Sequence, residues 1–283
     1  MYTLKIENTN GETFELSHDY ENYYITDVQG LTPPATTINT AKAGTIDGTF
    51  FNSASVEERN IVITLVLNGD IEGNRQKLYR IFPRKTPCTI YFKNANRDVK
   101  IKGYVETIEA DPFVLREKAQ ISIICPRPYF EDLATIYAEL AATLALFEFP
   151  FSIEEPIPFS EATDYPICEI MNSGDAEAGC FITVEVNDTI QGIKIINTST
   201  QQFFYLDSAF VDHDKITIST ISGQMGVTLE RGGNKTNILN YVGANSTWLR
   251  LAPGVNYFTY TIDDGDTEDV EITFAATLLY GGV

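Results

Sequence analysis

Residues 115–129 read Leu-Arg-Glu-Lys-Ala-Gln-Ile-Ser-Ile-Ile-Cys-Pro-Arg-Pro-Tyr. Leu115, Ile121, Ile123 and Cys125 fall on one side of an extended chain, with Arg116, Lys118, Gln120 and Ser122 on the other. That is the two-residue period of a half-buried strand. Pro126 and Pro128 then stop it, because proline cannot donate to a sheet ladder and restricts the residue before it. Tyr129 and Phe130 follow, two rings directly after the break. The stretch is expected to be the last strand of a first domain, with Cys125 a packed thiol. The prolines are expected to set the exit direction, and the two rings to sit at the domain junction.

The charge changes at the same place. Residues 1–130 hold 15 Lys and Arg against 16 Asp and Glu, and residues 131–283 hold 5 against 23, within a chain of net −19. So acidic a second part disfavours adhesion to nucleic acid or anionic lipid through that part. Solubility of an exposed domain explains it, as does a surface that must let nucleic acid pass without sticking. Hydrophobic residues at 43% and aromatics at 12% argue for a folded chain. Ala134–Phe151 is the one long apolar stretch, but Glu139, Glu148 and Pro150 make it a poor membrane span. Met-Tyr-Thr-Leu-Lys-Ile-Glu at the start lacks the regions of a signal peptide, so folding in a cytoplasm is expected. Cys88, Cys125, Cys168 and Cys180 include no Cys-x-x-Cys pair and are expected to be reduced and buried. With only His18 and His213 to help, no zinc site is expected.

The first part reads as strands. Tyr2–Glu7 and Thr13–Leu16 flank an Asn-Thr-Asn-Gly turn at 8–11, good hairpin chemistry. Tyr23–Val28, Thr45–Phe51 and Glu58–Leu67 follow, the last alternating cleanly at Ile61, Ile63, Leu65 and Leu67. Leu31–Thr40, with Pro33-Pro34, reads as extended and irregular. One helix is expected after Asp70, with Ile71, Leu78, Ile81 and Phe82 on its apolar face and Glu72, Arg75, Lys77 and Arg80 in water. Pro83 and Pro87 close it. Cys88–Phe92 and Val99–Ala110 complete an antiparallel β-domain carrying one helix.

Four segments in order, Glu58–Ile63, Asn74–Phe82, Val99–Glu106 and Ile121–Phe130, resemble the amino-terminal domain of distal tail proteins of long, non-contractile-tailed phages and prophages. The Cys-Pro-x-Pro-Tyr-Phe run is the most distinctive of them.

In the second part Glu131–Phe147 is a helix candidate by its alanine and leucine content, with an extended arm as the alternative. Phe149-Pro150-Phe151 to Ile157-Pro158-Phe159-Ser160 is too proline-punctuated for either regular element; its rings suit junction packing or a partner-binding arm. From Tyr165 short strands alternate with turns: Cys168–Asn172, Cys180–Val186, Ile193–Asn197, Phe203–Leu206, Lys215–Ser219, Gly226–Glu230, Thr247–Leu251, Asn256–Thr261 and Val270–Tyr280. That spacing is a β-sandwich. Asn172–Asp175, Ser246–Leu251 and Ala252–Asn256 resemble the carboxy-terminal, galectin-like domain of the same family. The expected division is 1–130 ring-forming domain, 131–164 linker or arm, and 165–283 galectin-like β-sandwich, in a chain that is mainly β.

No residue constellation for catalysis, metal or cofactor is assigned. His18 and His213 read as solvated loop residues, and no Gly-x-Ser-x-Gly, phosphate loop or dinucleotide fingerprint occurs. Asp263, Asp264, Asp266, Glu268 and Asp269 could suggest calcium, but they read as a solvated hairpin turn around Asp264-Gly265, and their spacing is not that of the twelve-residue calcium loop. Trp248, Tyr241, Tyr257 and Tyr260 could stack on a sugar, though about half must point inward. The resemblance implies a non-enzymatic hub: a homo-hexameric ring joining the tail tube protein to tail-tip, tail-associated lysin, receptor-binding or baseplate proteins around a DNA channel. It implies no cofactor, no sequence-specific nucleic acid and no membrane partner. The alternative is a carbohydrate-binding module contacting host glycans.

Overall fold

A computed structural model describes the chain except residues 1, 17–20, 43, 45–46, 83, 115, 142, 146–159 and 163–165. The chain divides into two compact units, Met1–Leu133 with Leu279–Val283, and Ala134–Leu278. Both are built of antiparallel strands, and the described residues contain one α-helix.

The first unit begins with β1 (Thr3–Asn8) and β2 (Thr13–Glu15), joined by the Asn8–Gly11 turn that the sequence marks. Asn8 Oδ1 accepts from the N–H groups of Asn10 and Glu12, each at 3.0 Å, which fixes that turn. Next come β3 (Tyr23–Gln29), β4 (Thr36–Ala41), β5 (Phe50–Val56) and β6 (Arg59–Leu67). Helix α1 (Ile71–Ile81) precedes β7 (Pro87–Lys93), β8 (Asp98–Ala110), β9 (Lys118–Cys125) and the start of β10 (Phe130–Ala141). The strand order is β2-β1-β7-β8-β9-β6-β3. Strand β8 serves two partners in turn: Asp98–Tyr104 pairs with β7, and Tyr104–Ala110 pairs with β9 across a bulge between Val105 and Thr107. Gly103 sits at this handover, where a Cβ would lie 2.6 Å from Ile123 Cγ2 and 2.8 Å from Cys125 Sγ. Only glycine lets the backbones come that close.

Asp70 caps α1 as expected, accepting from Gly73 N–H at 3.1 Å. The helix buries Asn74, Leu78 and Ile81, whereas Ile71 is exposed, contrary to the expected face. Asn74 takes the inward position because its Nδ2 donates to Asn68 O (2.8 Å) and Asn22 Oδ1 (3.2 Å). A buried amide is tolerated where such partners exist. Arg75 is also drawn out of water, to Glu117 Oε1 at 2.8 Å.

The helix expected over Glu131–Phe147 is a strand where described, the extended alternative. Ile136, Ala138 and Leu140 turn inward while Tyr137 and Glu139 face solvent. Residues 136 and 140 fit a helical spacing and a strand spacing equally. Ladder pairing, seen at Glu131–Lys100 and Asp132–Val99, overrides the helical preference of alanine and leucine. Of the strand expected over Thr45–Phe51, residues 45 and 46 lie outside the described residues; β5 starts at Phe50 and pairs with β4 from the segment read as irregular.

The second unit continues with β11 (Thr143–Ala145) paired to β12 (Ser160–Ala162). The proline-punctuated 149–158 segment lies outside the described residues. Then follow β13 (Cys168–Asn172), β14 (Ala178–Val186), β15 (Ile190–Asn197), β16 (Gln202–Phe210) and β17 (Lys215–Ser219). β18 (Gly226–Arg231), β19 (Asn234–Asn237), β20 (Arg250–Leu251), β21 (Gly254–Asp264) and β22 (Val270–Tyr280) complete the set. Two layers result, β13-β21-β15-β16 and β19-β18-β17-β14-β22. Alternation supplies the core between them: Ile193, Ile195, Phe204 and Phe258 from one layer, and Ile182, Val184, Ile216 and Phe274 from the other. Phe258 and Phe274 meet with ring centroids 4.7 Å apart. The expected strand over Thr247–Leu251 is reduced to β20, and Leu239–Tyr241 is a short 3-10 turn.

Candidate assembly surface

The opening stretch leads to the most concentrated polar node of the first unit. Strand β9 lies between β6 and β8, and Ile121, Ile123 and Cys125 are buried as their spacing requires. Ser122 is buried too, because its hydroxyl lies 3.0 Å from Asn60 Oδ1 and 2.8 Å from Glu106 Oε2. Cys125 is a packed thiol with its pKa pushed to about 12, first by burial and then by nearby Cys88, with Arg59 opposing. Phe130 is fully buried after the Pro126–Pro128 corner, and the guanidinium of Arg59 lies 4.5 Å from its ring centroid.

Arg59 is only 2% exposed. Its Nε donates to Pro128 O at 2.7 Å and its Nη1 to Thr32 O at 2.7 Å. Gly30 O and Gly281 O accept from Nη1 and Nη2. One rigid fork therefore gathers the Gly30–Thr32 turn, the proline corner and the chain's last residues. Burial lowers its pKa, with Cys125 opposing. Gly30 has φ +84°, and a Cβ there would lie 2.1 Å from Asn60 O, so the turn that presents its carbonyl needs glycine. The same tail is held again by Arg97, which donates to Gly282 O and lies 4.2 Å from the Tyr280 ring centroid. Tyr280 Oη donates to Asp132 at 2.9 Å, and Val283 N–H to Leu31 O at 3.0 Å. Arg59 falls inside the Glu58–Leu67 strand of the sequence reading, which gives it no role of its own. Its position offered a signal: residue 59 is in phase with the buried Ile61, Ile63, Leu65 and Leu67.

Two apolar surfaces of this unit are left uncovered by the described residues. The β4–β5 hairpin pairs with no other strand among the described residues, and both its strands are exposed throughout. Its register joins Thr36 to Val56, Ile38 to Ala54 and Thr40 to Phe51, with a bulge between Asn39 and Thr40. One face therefore carries Ile38, Phe51, Ala54 and Val56. The other carries the polar links Asn39–Ser53, at 3.1 Å, and Thr37–Glu57. Ile38 is 62% exposed and Phe51 67%. The second surface is a groove of about 490 Å³ lined by Tyr2, Leu4, Leu16, Tyr24, Ile25, Val28, Leu31, Phe92 and Val283.

In the second unit the singled-out residues do not converge. His18 lies outside the described residues. His213 is an exposed loop residue at φ 66°, with Nδ1 3.1 Å from Asp212 Oδ1. Asp266 caps a second 3-10 turn, Thr267–Asp269, through Glu268 N–H at 3.2 Å, while Asp263 accepts from Tyr205 Oη at 2.5 Å. That contact, before burial and the carboxylate charges, raises the Tyr205 pKa to about 12. Among the described residues no three His, Cys, Asp or Glu are grouped to hold a metal ion. Tyr260 is a core residue donating to Thr267 O at 2.6 Å, and Trp248 leans on buried Phe204 at 5.1 Å. Only Tyr241 and Tyr257 are openly exposed, on different elements. No helix among the described residues is long and apolar enough to cross a membrane.

Residues 7–125 match the phage tail protein RIFT-related domain, and residues 173–277 match the siphovirus-type tail component, C-terminal domain. No curated protein matches the sequence. The crystal structure of the SPP1 Dit (gp 19.1) protein is similar in fold over 99% of both chains, with a TM-score of 0.69 at 14% identity. A chain of the phage P2 baseplate in its activated conformation with Ca is 12% identical over 97% of this chain and 98% of its own, with a TM-score of 0.48. With one family domain matched in each part, in order, the chain belongs to the siphovirus-type tail component family as a distal tail protein, a structural part of the virion tail and not a member of an enzyme family.

Proposed function

We propose that six copies of this chain form a ring at the far end of the tail tube. The ring joins the tube protein to the tail-tip, lysin, receptor-binding or baseplate proteins and leaves a channel for DNA. In this reading residues 1–130 build the ring, 131–164 are the linker or arm, and the galectin-like part at 165–283 faces the adsorption apparatus without catalysing a reaction. The solved SPP1 relative is described as a hub of the adsorption apparatus in phages infecting Gram-positive hosts, which supports the same office here.

The observation that carries the reading is the uncovered hairpin. A two-stranded hairpin is barely stable alone in water, and exposed apolar patches on a folded domain mark contact sites. Here the patch sits on the near-neutral part of a chain of net −19, where copies can approach with least repulsion. The carbohydrate-binding alternative has less to rest on, since Tyr260 belongs to the core and Trp248 leans on Phe204. Electron microscopy of the purified protein tests the ring: six-fold rings are the expected result, and a strict monomer at every concentration overturns it.

A further inference from the structure

A hollow of about 650 Å³ lies at the β18–β19 hairpin of the second unit, within the size range of small-ligand sites. The hairpin turn is Gly232-Gly233, at φ 56° and 79°, so Arg231 and Asn234 face each other directly across it. After β19 the chain turns back. Asn237 Oδ1 accepts from Leu239 N–H at 2.9 Å, and Tyr241 N–H donates to Ile238 O at 3.0 Å. That 3-10 turn brings Asn240 and the exposed Tyr241 to the hollow with Arg231, Asn234, Thr236 and Asn237. Arg231 is the fixed point: its Nε and Nη2 hold the fully buried Asp214 carboxylate. Its side chain is still 49% exposed, and Nη1 bonds to no described residue. The amides of Asn234 and Asn240, the Nδ2 of Asn237 and the hydroxyl of Thr236 bond to no described residue either. Asparagine is common at turns because its side chain bonds the local backbone, but of these three only Asn237 does so among the described residues.

We propose that this hollow binds a neutral saccharide. Sugar hydroxyls both donate and accept, and amides beside a hydroxyl and an unused guanidinium edge answer both needs. Tyr241 supplies a ring for the apolar face of a pyranose. No carboxylate or lysine lines the hollow, and Asp214 already neutralises Arg231. Residues 131–283 hold 5 Lys and Arg against 23 Asp and Glu, which works against an anionic ligand. Trp248, leaning on Phe204, and Tyr260, in the core, take no part. The site goes beyond the hub reading and does not rest on it.

The test is a titration of the full-length protein by saturation-transfer NMR. The probes are glucose, galactose, N-acetylglucosamine and N-acetylgalactosamine, with glucuronate as the anionic counterpart. Millimolar binding of at least one neutral sugar is expected, as suits an open site and a ligand of monosaccharide size. Glucuronate should bind more weakly. Tyr241→Ala removes the ring and should weaken binding roughly tenfold. Asn240→Ala removes one amide and should weaken it severalfold. Tyr257→Ala, at an exposed ring on another element, should leave binding unchanged, and equal melting temperatures across the variants are the folding control. Silence from every neutral sugar overturns the site, as does binding that survives both Tyr241→Ala and Asn240→Ala. Tighter binding of glucuronate than of any neutral sugar overturns the neutral class.

Discussion

Arg59, Asp214 and the buried cysteines carry the sharpest expectations. Arg59 satisfies carbonyls of Gly30, Thr32, Pro128 and Gly281 with one planar cation. A lysine cannot reach three segments at once. Arg59→Lys is therefore expected to lower the stability of the first unit by roughly 3 kcal/mol, the scale of one or two charge-assisted bonds left unmade in a buried site. Chemical denaturation followed by a probe in that unit reads this directly; a loss under half a kcal/mol would show that water replaces the fork. Asp214, whose side chain is fully buried, is held by Arg231 at 2.7 and 2.5 Å and by Val211 N–H at 2.9 Å. Burial alone would raise its pKa, but the Arg231 guanidinium and the Val211 N–H outweigh it and bring the value below the ordinary 3.8. A depressed carboxylate contributes stability that is complete above its ordinary pKa and is lost as pH falls through the folded one. Melting of the wild type should thus drop below about pH 4. Asp214→Asn should already be weaker at pH 7, by roughly 1–3 kcal/mol, with a flatter acid limb; identical acid limbs would contradict the assignment. The thiols of Cys88 and Cys180 are pushed to about 11 and that of Cys125 to about 12, each chiefly by burial. All four cysteines are free and buried. Iodoacetamide at neutral pH should leave them unmodified until the protein is unfolded, because the thiolate is the nucleophile.

At the scale of elements, what was legible in the sequence followed burial on one face. Strand β6 announces itself through Ile61, Ile63, Leu65 and Leu67, and α1 through Asp70 and Leu78, since alternation or helical spacing against a core leaves its mark on side chains. The β4–β5 hairpin has no core to mark it among the described residues: Thr-Thr-Ile-Asn-Thr-Ala reads as extended and irregular, and only Phe50-Phe51 of β5 reads as strand until the pairing is seen. β10 was ambiguous for the opposite reason, its apolar positions fitting two periods at once. The tail was illegible because carbonyl acceptors have no side-chain signature. Removing residues 279–283 is expected to loosen the first unit well before the second, because Arg59 and Arg97 both lose acceptors. Hydrogen exchange of the truncated chain can be read region by region, and equal protection losses in both units would argue that the tail is merely attached there.

For the whole molecule, the uneven charge has a measurable consequence. Copies brought together in the proposed ring each carry the strongly acidic residues 131–283, and their mutual repulsion is screened by salt, with a Debye length of about 10 Å at 0.1 M. Self-association is therefore expected to strengthen as sodium chloride rises from low to physiological concentration. Weakening with salt would mean that opposite charges make the contact.

The position of Gly281 also bears on how the protein is made. A growing chain releases most residues of the first unit early, yet Arg59 cannot fill its last acceptor until Gly281 has left the ribosome. The roughly 150 residues between Pro128 and Gly281 take on the order of ten seconds or more to add at about 5–20 per second. During that time the first unit has its strands without its final tether. Products interrupted before Gly281 lack that tether permanently, so Arg59 stays short of one acceptor in every such copy.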